Sequence, residues 1–113
     1  MGFVLTNLLR DAALDGVGTL ITKAGVYGPP DEVTGIRTQI GTDIALTWNS
    51  ASGGTMTMAT TELVFDISED DSVSAVILKN TSGTAALYFT LEQQYTFQSD
   101  GTFTVSEITL TVN

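Results

Sequence analysis

The sequence predicts an all-β fold: a single β-sandwich, of jelly-roll or immunoglobulin-like type, with about eight short strands and a short N-terminal helix. Three observations lead there. Short runs rich in Val, Ile, Thr and aromatic residues recur at close spacing along the chain, the mark of half-buried strands. Turn chemistry separates them, in Pro29-Pro30, Ser52-Gly53-Gly54, Ser82-Gly83 and Asp100-Gly101. Hydrophobic residues make up 42% of the chain and charged residues only 15%, so Thr, Ser and Gly must cover the outside. No repeat or linker divides the 113 residues, so residues 1–113 form one domain. That length buries a core without a metal or disulfide staple.

Residues 5–14, LTNLLRDAAL, are the helix candidate. Thr6 or Asn7 supplies a capping oxygen for the free N–H groups at its start. Leu5, Leu8, Leu9 and Ala12 fall at helical spacing as one apolar stripe. Asp15-Gly16 supplies the stop. About ten residues are too few to be helical alone, so this helix must pack on the domain or on a neighbouring subunit. Strands and turns then occupy residues 17–113. The first runs over 17–27, and the two prolines end it, since each lacks an N–H and fixes φ.

A short strand over 36–40 is broken by Gly41, and residues 42–49 resume with Ile44, Leu46 and Trp48 on one face. Met56 and Met58 share a side of the next strand. Residues 63–67 and 73–79 are further strands, separated by the charged turn Ser68-Glu69-Asp70-Asp71. Residues 80–83 make a hairpin turn. Leu87, Phe89 and Leu91 share a face of the strand over 84–92, and Asp100-Gly101 marks a tight turn. Phe103, Val105, Ile108, Leu110 and Val112 close the chain as alternating strand.

Charge and composition exclude several function classes. Net charge is −9, and the four basic residues Arg10, Lys23, Arg37 and Lys79 are scattered. Nucleic acid and anionic membrane are therefore not expected partners, because both need clustered cations. A basic protein surface suits this charge. The chain has no Cys and no His, which removes disulfides, thiolate zinc sites and Cys or His catalysis. The first residues lack the basic start of a signal peptide, and no apolar run approaches membrane-spanning length. The expectation is a protein kept in the cytosol or leaving it by a non-secretory route.

No motif predicts an enzyme, a cofactor or a metal. Glu69-Asp70-Asp71 with Asp66 is the best acidic cluster, but it lacks the spaced acids and glycine of a calcium loop. Asp43 and Glu62 are the nearest thing to a glycosidase pair, with no spacing to support it. Trp48, Tyr27, Tyr88 and Tyr95 would suit a sugar-stacking platform if exposed, and Trp48 equally suits a core anchor. Arg37 follows an acidic proline turn. It either locks that turn by a bidentate pair to Asp31 or Glu32, stands exposed, or docks on another subunit.

Those residues also carry a resemblance. Leu5-Thr6-Asn7, Leu8-Leu9, Ala12, Leu14, Pro30, Glu32-Val33-Thr34-Gly35, Arg37, Trp48 and Ser52-Gly53 stand in an order that resembles a family of small tailed-bacteriophage proteins labelled phage tail fibre protein. The match runs over nearly the whole chain, and the segment 32–37 is its distinctive part. Ile36 stands where that family often has Tyr, and 16–27 lacks its usual short strand.

The resemblance implies a non-enzymatic structural protein of a virion, assembled in host cytoplasm. The chain is short for a whole fibre and has no heptads for a shaft. The expected role is therefore a capsid decoration or cement protein, homo-oligomeric and bound to the major capsid protein across subunit boundaries. The alternative is a tail or baseplate module among tail proteins that touches host glycans. Pro29, Pro30, Asp31, Glu32 and Arg37 are the expected interface residues. Trp48, Tyr88 and Tyr95 are the glycan contacts in the alternative.

Overall fold

A computed structural model of the protein describes residues 6–112. Helix α1 spans Asn7–Leu20, and eight strands follow: β1 Lys23–Tyr27, β2 Gln39–Ala45, β3 Thr55–Thr57, β4 Leu63–Ile67, β5 Ser72–Lys79, β6 Ala85–Thr96, β7 Gly101–Val105 and β8 Thr109–Thr111. The all-β architecture with one N-terminal helix is as expected. The strands fall into three antiparallel sets: a four-stranded sheet in the order β2-β1-β5-β6, and the two-stranded ladders β3-β8 and β4-β7.

One apolar cluster joins these sets. Ala24 and Val26 of β1, Val73, Val76 and Leu78 of β5, and Leu63, Phe65 and Ile67 of β4 meet in it with Ile21, Leu46, Met58 and Ile108. The period-2 alternation of a strand places them there. In β4 the residues Leu63, Phe65 and Ile67 are buried while Val64 and Asp66 are exposed. Met56 and Met58 are both buried, on the side their spacing gives them.

The helix departs from expectation in extent and in face. Thr6 caps it, accepting from the Leu9 N–H at 3.4 Å, but it continues through Gly16 to Leu20. The strand expected over 17–27 is therefore confined to Lys23–Tyr27. Packing overrides the local stop. The Gly18 position lies against Met56 and Trp48, where a Cβ would sit 3.1 Å from the Met56 sulfur. Two carboxylates one turn apart fasten the helix to the turn that follows Trp48: Asp15 accepts from the Ala51 N–H at 2.9 Å and Asp11 from the Gly54 N–H at 2.7 Å.

The expected apolar stripe does not seat the helix. Leu8 is 84% exposed, Leu9 is 55% exposed, and Ala12 is exposed too. The seated side carries Leu14 and Val17, and Ile21 just beyond the helix, a set that also satisfies helical spacing. Leu5, the remaining member of the expected stripe, lies outside the described residues.

Other strand boundaries differ as well: β2 starts at Gln39 and ends at Ala45, Trp48 lies beyond it in an isolated bridge to Met58, and the closing run divides into β7 and β8. Gly41 does not break its strand. It adopts φ 73° inside β2, where the pairing with β1 slips between Ala24 and Val26. Gly enters that left-handed conformation at no steric cost, so the residue makes an irregularity within the strand. Strand β6 reaches Thr96, past the expected end at 92. It does so by bulging: Ala75 faces Thr90, but Val73 faces Tyr95, so 91–94 stand opposite Ser74 alone.

Candidate functional site

The loop joining β1 to β2 continues their hairpin as an ordered arm. The Gly28 N–H donates to Thr38 O at 3.0 Å and the Asp31 N–H to Ile36 O at 2.9 Å. Asp31 closes the tip. One of its carboxylate oxygens accepts from the backbone N–H groups of Val33 and Thr34, at 2.8 and 2.9 Å. The Thr34 and Val33 N–H groups hold the Asp31 carboxyl below its ordinary pKa of 3.8, since they stabilise the ionised form.

Arg37 makes neither of the two acidic pairs open to it from sequence. Its guanidinium donates to Gly28 O and to the Ser74 hydroxyl, both at 3.0 Å. It therefore pins the base of the arm to β5, while Asp31 shapes the tip through the backbone. Pro29, Pro30, Asp31 and Glu32 are all exposed. So are Val33, at 93%, and Ile36. The arm is thus held by polar groups from within and presents apolar side chains outward.

Beside Arg37, the outer face of the four-stranded sheet carries a polar cluster that sequence reasoning missed. Lys79 is buried, and its Nζ lies 2.8 Å from Asp43 Oδ1, 3.2 Å from Gln39 Oε1 and 4.8 Å from the centre of the Tyr27 ring. The Gln39 amide donates to the same Asp43 oxygen at 2.6 Å, and the Tyr27 hydroxyl donates to Gln39 Oε1 at 3.2 Å. Gly25 sits beneath. A Cβ there would lie 2.6 Å from Asp43 Oδ1, so glycine gives the cluster its floor. The signal in sequence was faint: Gly25 inside a β-branched run, and a single Lys ending an otherwise apolar strand.

Burial lowers the pKa of Lys79, but its hydrogen bonds to Asp43 and Tyr27 and the charges of both outweigh that and raise it above 10.5. An ammonium held this firmly is neither a nucleophile nor a general base near neutral pH. The cluster locks a sheet face and offers no reactive group. Asp43, considered above with Glu62, is engaged here.

The three aromatic candidates occupy different surroundings. Trp48 is half-buried against the core, and its indole N–H donates to Ile21 O at 3.0 Å, at the end of the helix. Its remaining surface lines a cleft of about 380 Å³ with Asp15, Thr19, Asn49 and Met56. Tyr88 is 62% exposed and lies with Tyr27 and Arg37 around a separate hollow. Tyr95, equally open, meets Phe97 edge-on at 5.2 Å.

The acidic turn before β5 is tied down by its own backbone. The Glu69 N–H donates to Asp100, the Asp70 N–H to Phe97 O, and Phe97 returns its N–H to Asp71 O. Among the described residues no three acidic side chains gather as a metal site. None of the described helices is long and apolar enough to cross a membrane.

A groove of about 370 Å³ is lined by Val76, Phe89, Leu91, Phe103, Val105 and Ile108, with Thr104, Ser106, Glu107 and Thr109 among them. It lies between β6 and the residues of β7 and the start of β8. No family model, curated protein or solved structure matches this chain.

Proposed function

We propose that this protein is a non-enzymatic structural component of a tailed-phage virion that decorates the capsid, cementing subunits of the major capsid protein. The observation that carries this reading is where the apolar side chains stand. Leu8 and Leu9 on the helix, Val33 and Ile36 on the arm, and Leu87 to Phe89 on β6 are all exposed, on three different elements, with Ile36 and Tyr88 sharing one hollow. Scattered single hydrophobes need no explanation, but three groups on ordered elements suit a protein that touches several neighbours.

The architecture proposed with it is a single sandwich. The four-stranded sheet is one layer, and the ladders β3-β8 and β4-β7 together are the other. The chain's net charge of −9 favours basic patches on the lattice. The resemblance to small phage proteins supplies the virion itself. The deciding measurement is copy number per purified particle by quantitative mass spectrometry. Hundreds of copies, with particles lacking the protein less resistant to heat and osmotic shock, support decoration; tens or fewer overturn it.

Exposed Tyr88 and Tyr95 favour a second reading, a tail or baseplate module that contacts host glycans. There, glycan binding by the isolated protein falls on Tyr88→Ala or Tyr95→Ala, and loss of the protein blocks adsorption while heads stay sound. Trp48 contributes less in that case, because half of its ring serves the core.

A further inference from the structure

Strand β6 is an unguarded edge. It ends the four-stranded sheet, and among the described residues it pairs with β5 alone. The opposite edge strand, β2, has β4 alongside it. An antiparallel edge strand turns the N–H and C=O of every second residue outward with no partner. Natural edges are usually blunted by Lys, Pro or short length. Strand β6 is AALYFTLEQQYT, 12 residues with no Lys and no Pro, and Glu92 is its one charged residue.

Its inner face is only partly covered, Leu91 packing on the core. Leu87 faces Leu78 and Phe89 faces Val76 across the β5 pairing, and both partners belong to the core cluster. Yet Leu87 remains 38% exposed and Phe89 42%. The apolar groove formed by Phe89, Leu91, Phe103, Val105 and Ile108 opens directly beside them.

We infer that β6 pairs antiparallel with β6 of a second copy of this chain, about a two-fold axis near Phe89, to make one continuous eight-stranded sheet. An antiparallel strand pair is self-complementary under a two-fold, so one exposed edge completes itself. With the axis at Phe89, Leu87 of each copy lies opposite the partner copy's Leu91 and the two Phe89 side chains meet. That apolar set then covers both grooves.

The areas agree. The chain exposes 7157 Å², whereas a compact monomer of 11.9 kDa exposes about 6,000 Å². That excess leaves room for an interface of the usual size, about 800 Å² per partner. The pairing stands whether or not the protein belongs to a virion.

The chain contains no Cys, which makes the register directly testable. Residues facing each other across a strand pair have Cα atoms about 4.5–5.5 Å apart, within disulfide reach. Phe89→Cys is expected to form a covalent dimer on mild oxidation, and Ser82→Cys, in the exposed hairpin turn, is not. In sedimentation the wild-type chain is expected at twice its monomer mass. Phe89→Lys, which sets two ammonium groups face to face, should weaken the dimer at least about tenfold with an unchanged far-UV spectrum.

A wild-type monomer throughout the micromolar range overturns the inference. So does equal cross-linking at 82 and 89, or a dimer that Phe89→Lys leaves intact. If Phe89→Lys fails to fold, Leu87→Lys with the same readouts takes its place. Dissociation by Leu9→Lys while both β6 variants stay dimeric would assign the contact to the helix and overturn the β6 pairing.

Discussion

Lys79 and Asp43 show how a small apolar domain carries a charge inside a sheet face. The Lys79 side chain is 5% exposed and that of Asp43 24%. Removing Asp43 strands a buried ammonium, so Asp43→Ala is expected to lower unfolding stability by about 2 kcal/mol. This is less than a fully buried pair would lose, because water reaches the carboxylate. Urea unfolding checks it. The pH dependence follows from the raised pKa of Lys79. Below 10.5 the lysine is protonated in both folded and unfolded chains, and its contribution is complete; it is lost as pH rises through the higher folded value. The stability gap between wild type and Asp43→Ala should therefore be flat from about pH 6 to pH 9 and narrow above 10.5. A gap that stays unchanged above 10.5 would show that Lys79 is not the partner that matters. At the floor of the same cluster, Gly25→Ala drives a methyl group into Asp43 and Gln39 and should cost about 1–3 kcal/mol by overpacking.

At the scale of elements, the helix is the instructive case. Two glycines fall inside it, and they answer differently to substitution. A Cβ on Gly16 meets nothing within 4 Å, whereas one on Gly18 meets the Met56 sulfur at 3.1 Å. Gly16→Ala is expected to raise stability by about 0.5–1 kcal/mol, the helix-interior difference between the two residues. Gly18→Ala should give back that gain against Met56. Thermal unfolding of both variants separates them, and a destabilised Gly16→Ala would mean that the helix ends where local propensity ends it. Those glycines also explain what the sequence could and could not convey. Strands β4 and β5 were legible because Leu63-Val64-Phe65-Asp66-Ile67 and the run ending at Lys79 alternate or stay apolar between clear turns. The helix boundary was not, because Gly16 reads as a stop until Met56 and Trp48 are seen packing on the next turn. Nor was its seated face, since Leu8 with Leu9 and Leu14 with Val17 both satisfy the spacing and only the tertiary fold chooses. The arm's order was legible in Pro29-Pro30 and Asp31. The partner of Arg37 was not, because Ser74 lies 37 residues away. The lysine cluster draws on Tyr27, Gln39, Asp43 and Lys79 from three strands, and no local pattern joins them.

For the whole molecule, the outline is elongated, 51 × 33 × 26 Å, with a radius of gyration of 15.9 Å where a compact chain of this length has about 13 Å. The helix stripe, the arm tip and the β6 edge belong to different elements, so each can be substituted by itself. The helix stripe is the sharpest test of attachment to a lattice. Leu8 and Leu9 lie mostly in solvent, so the double variant Leu8→Lys with Leu9→Lys should change the isolated protein's stability by no more than about 0.5 kcal/mol. If the stripe seats on another virion protein, the same variant should fail to rebind particles stripped of the protein, at any salt concentration, because the loss is of apolar contact. If that lattice presents basic patches to the chain's net charge of −9, the wild type's rebinding should itself weaken as salt rises, since such attraction is screened over about 8–10 Å at physiological ionic strength. Rebinding by the variant at wild-type affinity would remove the helix from the attachment surface and leave the arm, with Val33 and Ile36 at its tip, as the segment to substitute next.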